Sequence, residues 1–558
     1  MSVDPRKLVF TSLLLSACAD DPPATGEPTP DDAPVWYPEV QTLVLRQCGG
    51  CHVDGGEAPF ALDDYALARA TAPAMLAAIE DGSMPPWHAD PACQHFTGER
   101  VLGDADKATL RAWVAAGTPE GDPADAAAIE PATPPGFTPS FVGVVPGYTP
   151  SAAELDDWRC FVMPEIEFTQ ETWLVGSEVV PGSPAVHHAI ISALAPELVA
   201  DALAADAADP GPGYSCFGGL LPGMDLSEGM GFPTTSFPNQ IGIWVPGLQA
   251  ELLTDGTARQ VAPGSLVVAQ VHYNLLSVEP TPDHTEVRLL ASDAPPQRLR
   301  STGQLHYYDL KIPAGAASTS FTSHLPYHAA DPLELVAFTG HMHLLGSSIG
   351  ARARTPDDAE VCLVEVPRWD FHWQQRYSKP VAEALVLPSG SALTLTCAYD
   401  NSAANQPVVA GVQQPPRAVG WGESSLDEMC LMFVERLEDY APLPAADAGA
   451  CSASADCLAG CTGSQTRCLL ECEATEFACV ACVVNAVPGC AIDCAAPLAG
   501  EMQCLEACAL ATLMLDGNFG ACFAAECGGV YDTFTACLDG RIADGSCTAP
   551  LAACGAEL

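Results

Sequence analysis

Residues 333–344 read LELVAFTGHMHL, an apolar run that ends in two histidines separated by one residue. Similar short apolar or alternating runs, divided by turn residues, recur between about 153 and 440, for example at 171–180, 265–273 and 392–398. Alternation with a period of two and frequent turn residues are typical of antiparallel strands. The stretch therefore predicts β-sandwich structure over residues 153–440.

The histidines of this region fall into clusters. His341 and His343 are two residues apart, so in a strand both side chains project from one face. His187 and His188 are adjacent, so they can bind one ion only if the backbone bulges or ends there. His272 ends another apolar run. Neutral imidazoles at such spacings indicate a metal site, and three of them suit copper.

Met429 lies in the sequence LDEMC at 426–430. A thioether is a soft ligand that suits Cu(I), and imidazole suits both copper states. Met429 with the His341/His343 pair can therefore hold a copper ion that changes its oxidation state. The other histidines of the region are interpreted as ordinary structural groups: His284, His306, His324, His328 and His372.

Four motifs occur in a fixed order: VHHAI at 186–190, VAQVHYN at 268–274, GHMH at 340–343 and DEMC at 427–430. In this order and at this spacing they resemble the copper type II, ascorbate-dependent monooxygenases. The resemblance covers about residues 153–440.

The resemblance implies two consecutive jelly-roll β-sandwich domains, at 153–290 and 291–440, that face each other across a solvent-filled cleft. It also implies disulfides Cys160–Cys216 and Cys397–Cys430. Cys362 has no obvious partner. Two copper sites are implied, one on each domain: His187, His188 and His272 for an electron-storing copper, and His341, His343 and Met429 for the copper that binds O2.

The family hydroxylates an unactivated C–H bond with O2 and electrons from an ascorbate-like reductant. We nominate no catalytic residue beyond the copper ligands. Peptide-amidating members hold a substrate carboxylate with an Arg, an Asn and a Tyr, whose positions here are Thr339, Leu431 and Phe433. We therefore expect a small organic substrate other than a glycine-extended peptide. A non-catalytic electron-transfer or copper-binding surface protein is the alternative.

CGGCH at 48–52 is a C-x-x-C-H sequence, the attachment motif of c-type haem. Cys48 and Cys51 would carry one covalent haem and His52 would supply an axial nitrogen; a disulfide beside an accidental histidine is the alternative. A second axial ligand is needed, and Met84, in GSMPPW at 82–87, is the best candidate, because the interval after His52 leaves room for a helix that turns back. A thioether ligand would raise the potential. His88 and His95 are weaker candidates, and Cys93 is left over.

Residues 36–120 resemble a small bacterial class I cytochrome c, which implies a small all-α domain. A tethered haem suggests an electron donor for the copper sites. The Pro-rich linker at 121–152 would let the haem reach them at a raised effective concentration.

The composition argues against nucleic acid as a partner and indicates an oxidising compartment. The 558 residues carry 22 basic and 70 acidic side chains, a net charge of −48, which argues against nucleic-acid binding. Twenty-five cysteines are unusual in a reducing cytosol. Residues 1–18 read as an export signal ending in LSAC, which looks like a bacterial lipobox with a lipid attached to Cys18. We predict a periplasmic or cell-surface protein, lipid-anchored through an acidic Pro-rich linker at 19–35, with no membrane-spanning helix.

The last region, 441–558, holds 16 of the cysteines, repeatedly at C-x3-C spacing. Cysteines four residues apart lie on one helical face, so we predict short helices cross-linked by disulfides, with connectivity left open. A metal or cluster site is the alternative. The sequence therefore predicts a small helical domain, two β-sandwiches and a disulfide-rich helical tail. Oligomeric state and substrate are left open.

Overall fold

The structure is a computed structural model that describes most of the chain between residues 33 and 443 and part of the tail. The described residues are 33–54, 58, 60–127, 136–216, 219–221, 239–276, 278–443, 504, 507–508, 511, 515 and 518–543. The predicted signal and lipid-attachment segment at 1–18, most of its linker and most of the cysteine-rich tail lie outside them. No helix in the described part is long and apolar enough to span a bilayer.

The chain divides into two compact units, residues 1–85 with 102–132, and residues 86–101 with 133–558. The first unit contains helices α1 (Glu39–Gln47), α2 (Tyr65–Glu80) and α3 (Asp104–Ala115). Their apolar faces enclose a core in which the rings of Trp36 and Trp113 lie 5.6 Å apart. These helices lie within the predicted all-α region at 36–120, but residues 86–101 belong to the other unit. A cytochrome-like domain is therefore not evident from the fold and stays a prediction.

The second unit contains all the described strands. Its first part holds ten strands and one helix: β1 (Phe141–Val144), β2 (Asp156–Glu167), β3 (Thr172–Val180), β4 (Val186–Leu194), α4 (Val199–Ala208), β5 (Tyr214–Ser215), β6 (Asn239–Trp244), β7 (Glu251–Leu252), β8 (Thr257–Val261), β9 (Leu266–Asn274) and β10 (Glu286–Ser292).

Its second part holds thirteen more strands: β11 (Arg298–His306), β12 (Lys311–Ile312), β13 (Thr319–Tyr327), β14 (Leu333–His341), β15 (Gly346–Arg354), β16 (Glu360–Val366), β17 (Arg376–Ser378), β18 (Leu385–Leu387), β19 (Ser391–Tyr399), β20 (Val408–Val409), β21 (Val412–Gln413), β22 (Val419–Gly420) and β23 (Leu431–Asp439). Helix α5 (Phe519–Ala543), interrupted at Gly528, lies in the tail.

One long sheet joins the two predicted sandwiches. Its order is β1-β10-β3-β8-β11-β23-β14-β17, with β7 paired to β3 and β18 paired to β14. The first sandwich is completed by the sheet β5-β2-β9-β4-β6 and the second by the sheet β13-β19-β15-β16. The junction is the parallel pair β8–β11, in which Arg298 lies opposite Thr257. The predicted β-sandwich architecture is confirmed, but the two sandwiches share a continuous sheet.

A buried ion network crosses this junction. The carboxylate of Glu435 on β23 accepts hydrogen bonds from Arg259 at 3.0 Å, Arg300 at 3.4 Å and Arg376 at 2.7 Å. Burial alone would raise the pKa of Glu435, but the three guanidinium groups, led by Arg376, hold it well below its ordinary value. Arg259 and Arg376 also form ion pairs with Glu251. The network ties strands of the first sandwich to strands of the second.

Residues 86–101 pack on the second sandwich. Phe96 lies in the core of that sandwich, and the backbone N–H of Asp90 donates to Glu365 O at 2.8 Å. Cys93 forms a disulfide with Cys362 on β16. The two cysteines left without a partner by the sequence analysis therefore pair with each other.

The other disulfides among the described residues agree with the sequence-based predictions. Cys160–Cys216 and Cys397–Cys430 are both formed. In the tail, Cys504 and Cys508 pair with Cys527 and Cys522 of α5. Two cysteines four residues apart thus cross-link to a neighbouring helix, as the C-x3-C spacing predicts.

Candidate metal centre

Three histidines meet on two neighbouring strands of the first sandwich. His187 and His188 lie on β4, and His272 lies directly opposite His188 on β9. The register of this pair shifts between Val186 and His188, which is the bulge that two adjacent ligands require. One ring nitrogen from each of the three side chains lies within 4.8 Å of the others. The three buried imidazoles form a group that can hold a metal ion.

His272 is held in one orientation by its neighbours. Its Nε2–H donates to the carboxylate of Asp156 at 3.0 Å, and its ring stacks on Trp158 with centroids 4.1 Å apart. Its Nδ1 is buried and has no hydrogen-bond partner among the described residues. A carboxylate on one ring nitrogen is the usual arrangement behind a metal-bound histidine. The unpaired Nδ1 is therefore the atom that faces a metal.

His187 and His188 direct their δ nitrogens toward each other. Their two Nδ1 atoms lie 3.2 Å apart. His187 donates from Nε2 to the carbonyl oxygen of Phe371 at 3.2 Å, and its ring stacks on the Phe371 ring at 4.2 Å. With Nε2 of His187 occupied, Nδ1 remains for a metal, as in His272.

The second group of predicted ligands lies at the end of β14 and just before β23. His341 is the last residue of β14, and Nδ1 of its ring bonds to Gln374 Oε1 at 2.8 Å. His343 lies in the turn that follows, and its Nδ1 donates to Asp427 O at 3.2 Å. Its Nε2 is buried without a partner in the described part of the chain. Met342, the residue between the two histidines, lies in the hydrophobic core.

A buried carboxylate joins these two segments. Glu428 accepts the backbone N–H of His343 at 2.9 Å, of Leu345 at 2.6 Å and of Met429 at 3.3 Å. Burial raises the pKa of Glu428 to about 8, against the opposing effect of these N–H groups. The disulfide to Cys397 fixes Cys430, the residue after Met429. The structure thus brings Met429, which is itself buried, to the turn that carries His343.

The two groups adjoin each other. The ring centroids of His188 and His341 lie 5.4 Å apart, and those of His341 and His343 lie 5.2 Å apart. All five imidazoles are buried, with exposed fractions between 0% and 7%. This differs from the expected solvent-filled cleft between the domains. The shared sheet and the contacts of Asp156 with Ser424 and Ser425 draw the two sandwiches together at this point.

Burial favours the neutral form of four of these imidazoles. Desolvation, and then repulsion from neighbouring imidazoles, lowers the pKa of His187, His188 and His343 well below the ordinary value. Desolvation also lowers the pKa of His341 to about 4. Neutral imidazole is the form that binds metal. Buried nitrogen lone pairs, a thioether nearby and few carboxylates at the centre make a donor set that fits copper better than calcium or magnesium.

Comparison with known proteins supports one part of this site. Residues 302–457 match the family model described as "Copper type II ascorbate-dependent monooxygenase, C-terminal domain". This match contains three of the predicted ligands, His341, His343 and Met429. It supports the family that the motifs resemble and, with it, an oxidoreductase of the monooxygenase type. Comparison with curated proteins gives no match.

Solved structures add no argument about function. The major capsid protein P2 of bacteriophage PM2 is 8% identical, with a TM-score of 0.22 over 51% of this chain and 98% of that chain. Allantoicase from Saccharomyces cerevisiae is 10% identical, with a TM-score of 0.13 over 53% of this chain and 81% of that chain.

The predicted haem residues lie in the first unit. Cys48 and Cys51 are thiols, and burial raises the pKa of Cys48 to about 11. His52 directs Nδ1 at Phe60 O, 3.0 Å away, which leaves Nε2 for an iron ion. Gly49 has no room for a side chain, because a Cβ there would lie 2.3 Å from Leu45 O. Met84 is 39% exposed. The thiols and His52 fit a c-type haem, which stays a prediction.

Sequence reasoning missed the residues that hold the ligands in place. Asp156, Trp158, Phe371, Gln374 and Glu428 all contact a candidate ligand or its backbone. In a chain with 70 acidic residues, nothing in the sequence marks Asp156 as a buried partner. For Glu428 the sequence held one indication of a role at the site, its position directly before the candidate ligand Met429.

Proposed function

We propose that this chain is an exported copper-dependent monooxygenase that hydroxylates a C–H bond of a small organic substrate. The overall reaction is R–H + O2 + 2 electrons + 2 H⁺ → R–OH + H2O. The observation that carries the proposal is the group of five buried imidazoles, in which His272 Nδ1 and His343 Nε2 have no partner among the described residues. Buried unpaired nitrogen atoms are costly unless an ion uses them.

Each side chain has a definite role in this proposal. His187, His188 and His272 would hold one copper ion, and His341, His343 and Met429 the other. Bound copper supplies the one-electron chemistry that lets O2 attack an unactivated C–H bond. Asp156, Phe371 and Gln374 orient the imidazoles, and Glu428 keeps the His343 turn beside Met429. Burial excludes bulk water from this centre.

Electrons are proposed to come from a haem on Cys48 and Cys51, with His52 and Met84 as axial ligands. The Nδ1 of His52 bonds to Phe60 O, which leaves Nε2 for an iron ion and supports this part of the proposal. An ascorbate-like reductant or a redox protein would reduce the haem.

A rapid-mixing experiment tests that donor. With haem and copper both loaded, we expect Met84→Ala to slow copper reduction by the ferrous haem without changing reduction by free ascorbate. An equal rate in the variant would argue against the haem as the electron donor, and loading that yields no covalent haem would exclude it. The export signal and a lipid on Cys18 are part of the same proposal, and mass spectrometry of the mature N-terminus tests them.

A non-catalytic electron-transfer or copper-binding protein is the second candidate. The observation in its favour is the closeness of the two groups, with His188 and His341 ring centroids 5.4 Å apart in a buried environment.

Substrate-dependent O2 consumption separates the two candidates. The copper-loaded chain, supplied with ascorbate and a panel of small neutral substrates, should consume O2 and place one atom of ¹⁸O2 in the product. Reversible copper reduction without substrate-dependent uptake would favour electron transfer.

A further inference from the structure

His306, expected from the sequence to be an ordinary structural group, is a buried imidazole whose ring nitrogens find no hydrogen-bond partner among the described residues. It is the last residue of β11 and is 4% exposed. Neither Nδ1 nor Nε2 has a partner within the described ranges. Desolvation lowers its pKa to about 4, so the ring is neutral, with one donor and one acceptor. Leaving such groups unpaired is costly, which indicates that another molecule satisfies them.

Strand register places His306 on the same face as the metal ligand His341. Both residues lie directly opposite Leu431, His306 from β11 and His341 from β14. Residues opposite each other in antiparallel strands project from the same face. Two interstrand spacings separate their backbones, roughly 10 Å. Leu431 therefore lies between a polar group without a partner and the candidate copper site.

The next row of this face is similar in character. Gln304 and Thr339 both lie opposite Phe433. The alternate residues of β11 and β23, such as Leu305 and Met432, belong to the hydrophobic core behind the sheet. The face that carries His306 thus has an apolar middle, formed by Leu431 and Phe433.

Aromatic rings border the His306 end. The ring of Tyr308 lies 4.1 Å from that of His306, and Trp421 packs edge-on against Tyr308 at 4.3 Å. An imidazole among these rings and Leu431 favours a ligand with an apolar body.

The charged groups at the Thr339 end of this face are paired with one another. Arg376 lies opposite Thr339 on β17, but its Nε and Nη2 bind both carboxylate oxygens of Glu435 at 2.7 Å, and Glu251 lies 2.7 Å from Nη2. A ligand carboxylate would have to displace two protein carboxylates. A ligand ammonium group would meet a Glu435 that already has three arginine partners. The face therefore favours a neutral ligand.

We propose that His306 anchors a small-molecule seat that runs over Leu431 toward His341. Its ligand is a neutral molecule with an apolar body and one hydroxyl group. The hydroxyl pairs with the ring nitrogen that faces the seat, either as donor or as acceptor, because a neutral imidazole offers both. The apolar body lies over Leu431 and Phe433. This seat rests on the proposed function, since the copper site at His341 makes the bound molecule a substrate.

A series of probes with a constant tolyl body tests the seat. We expect 4-methylphenol to bind the full chain about tenfold more tightly than toluene, 4-methylbenzoate or 4-methylbenzylamine, as measured by calorimetry. His306→Phe keeps a ring of similar size and should weaken 4-methylphenol binding about tenfold, with copper content and toluene binding unchanged. The matched control is His324→Phe, an exposed histidine on β13, which should change nothing.

A second measurement needs no variant. The ring ¹⁵N resonances of His306 should shift when 4-methylphenol is added to the wild-type chain, even if the phenylalanine variant does not fold. Equal binding of 4-methylphenol and toluene, or unchanged ¹⁵N shifts, would overturn the seat. Measuring the copper-free chain separates the two claims. Binding that depends on His306 in a chain that takes up no copper would keep the seat and reject the enzyme, whereas copper uptake without such binding would do the reverse.

Discussion

The two groups of candidate ligands are built differently, although they adjoin. His187, His188 and His272 lie on paired strands β4 and β9, where hydrogen bonds of the sheet fix their backbones. His343 and Met429 lie outside strands, in a turn and a connecting segment. Their positions depend on one buried carboxylate, Glu428, and on the Cys397–Cys430 disulfide. The sheet itself thus positions the first group of ligands, whereas the second group is positioned by contacts between segments distant in the sequence.

Removing one ligand from each group gives the largest expected effect and tests whether the groups are separate sites. We expect His272→Ala and His341→Ala each to reduce copper content from two ions to one per chain. The remaining ion should have different ligands in the two variants, since only His272→Ala leaves intact the site to which Met429 contributes its thioether. Metal analysis with X-ray absorption at the copper edge measures both. Loss of both ions in either variant would show that the adjoining imidazoles form a single site.

Acidification tests the burial that both groups share. Five buried histidines have lowered pKa values, so below about pH 6.5 the unfolded chain binds protons that the folded chain excludes: His187, His188, His306, His341 and His343. Stability of the copper-free protein should therefore fall steeply as the pH drops from 7 to 5. Glu428, whose pKa is raised to about 8, has the opposite effect but counts for one proton only.

Urea unfolding at the two pH values checks this prediction. His341→Phe should reduce the loss of stability on acidification, and the exposed His324→Phe should not. A midpoint that is equal or higher at pH 5 would contradict the assignment of neutral, buried imidazoles.

Removal of the Glu428 carboxylate should selectively weaken copper binding by the second group of ligands. Glu428→Ala leaves the buried N–H groups of His343 and Leu345 without an acceptor, at a cost of about 2–6 kcal/mol for the two together. The free energy of unfolding should fall by this amount, and the copper with the thioether ligand should be lost first. Asp427→Asn is the control, because that side chain is paired with Arg417 and partly exposed. An equal effect of the two substitutions would argue against a special role for Glu428.

Substitution of Asp156 should give the smallest of these effects, a reduced copper affinity of the first group. Asp156→Asn keeps the shape of the side chain but removes the carboxylate that accepts from His272 Nε2. Loss of such a partner typically weakens metal binding about 10–100-fold. A competition titration of Cu(I) against a chelator measures the change. The neighbouring Asp157→Asn should leave affinity unchanged, since Asp157 accepts from Tyr148 instead. Unchanged affinity in Asp156→Asn would mean that the sheet alone orients His272.

The sequence predicts the local features of this molecule and misses the long-range ones. Strand alternation and the spacing of His341 and His343 are local, so they indicate β-structure and a candidate ligand pair. The shared sheet depends on the pairing of β8 with β11, which no local pattern encodes. Continuity along the chain assigns residues 86–101 to the helical region, although Cys93 binds Cys362 in the second sandwich. Elimination of the other pairs could have indicated that disulfide.

The most direct test of the account is the copper content and copper ligation of the protein after export and maturation. We predict two copper ions per chain, one with histidine ligands only and one with histidine and a sulfur ligand that disappears in Met429→Ala. A chain that binds zinc or no metal, or two coppers whose X-ray absorption is unchanged by Met429→Ala, would contradict it.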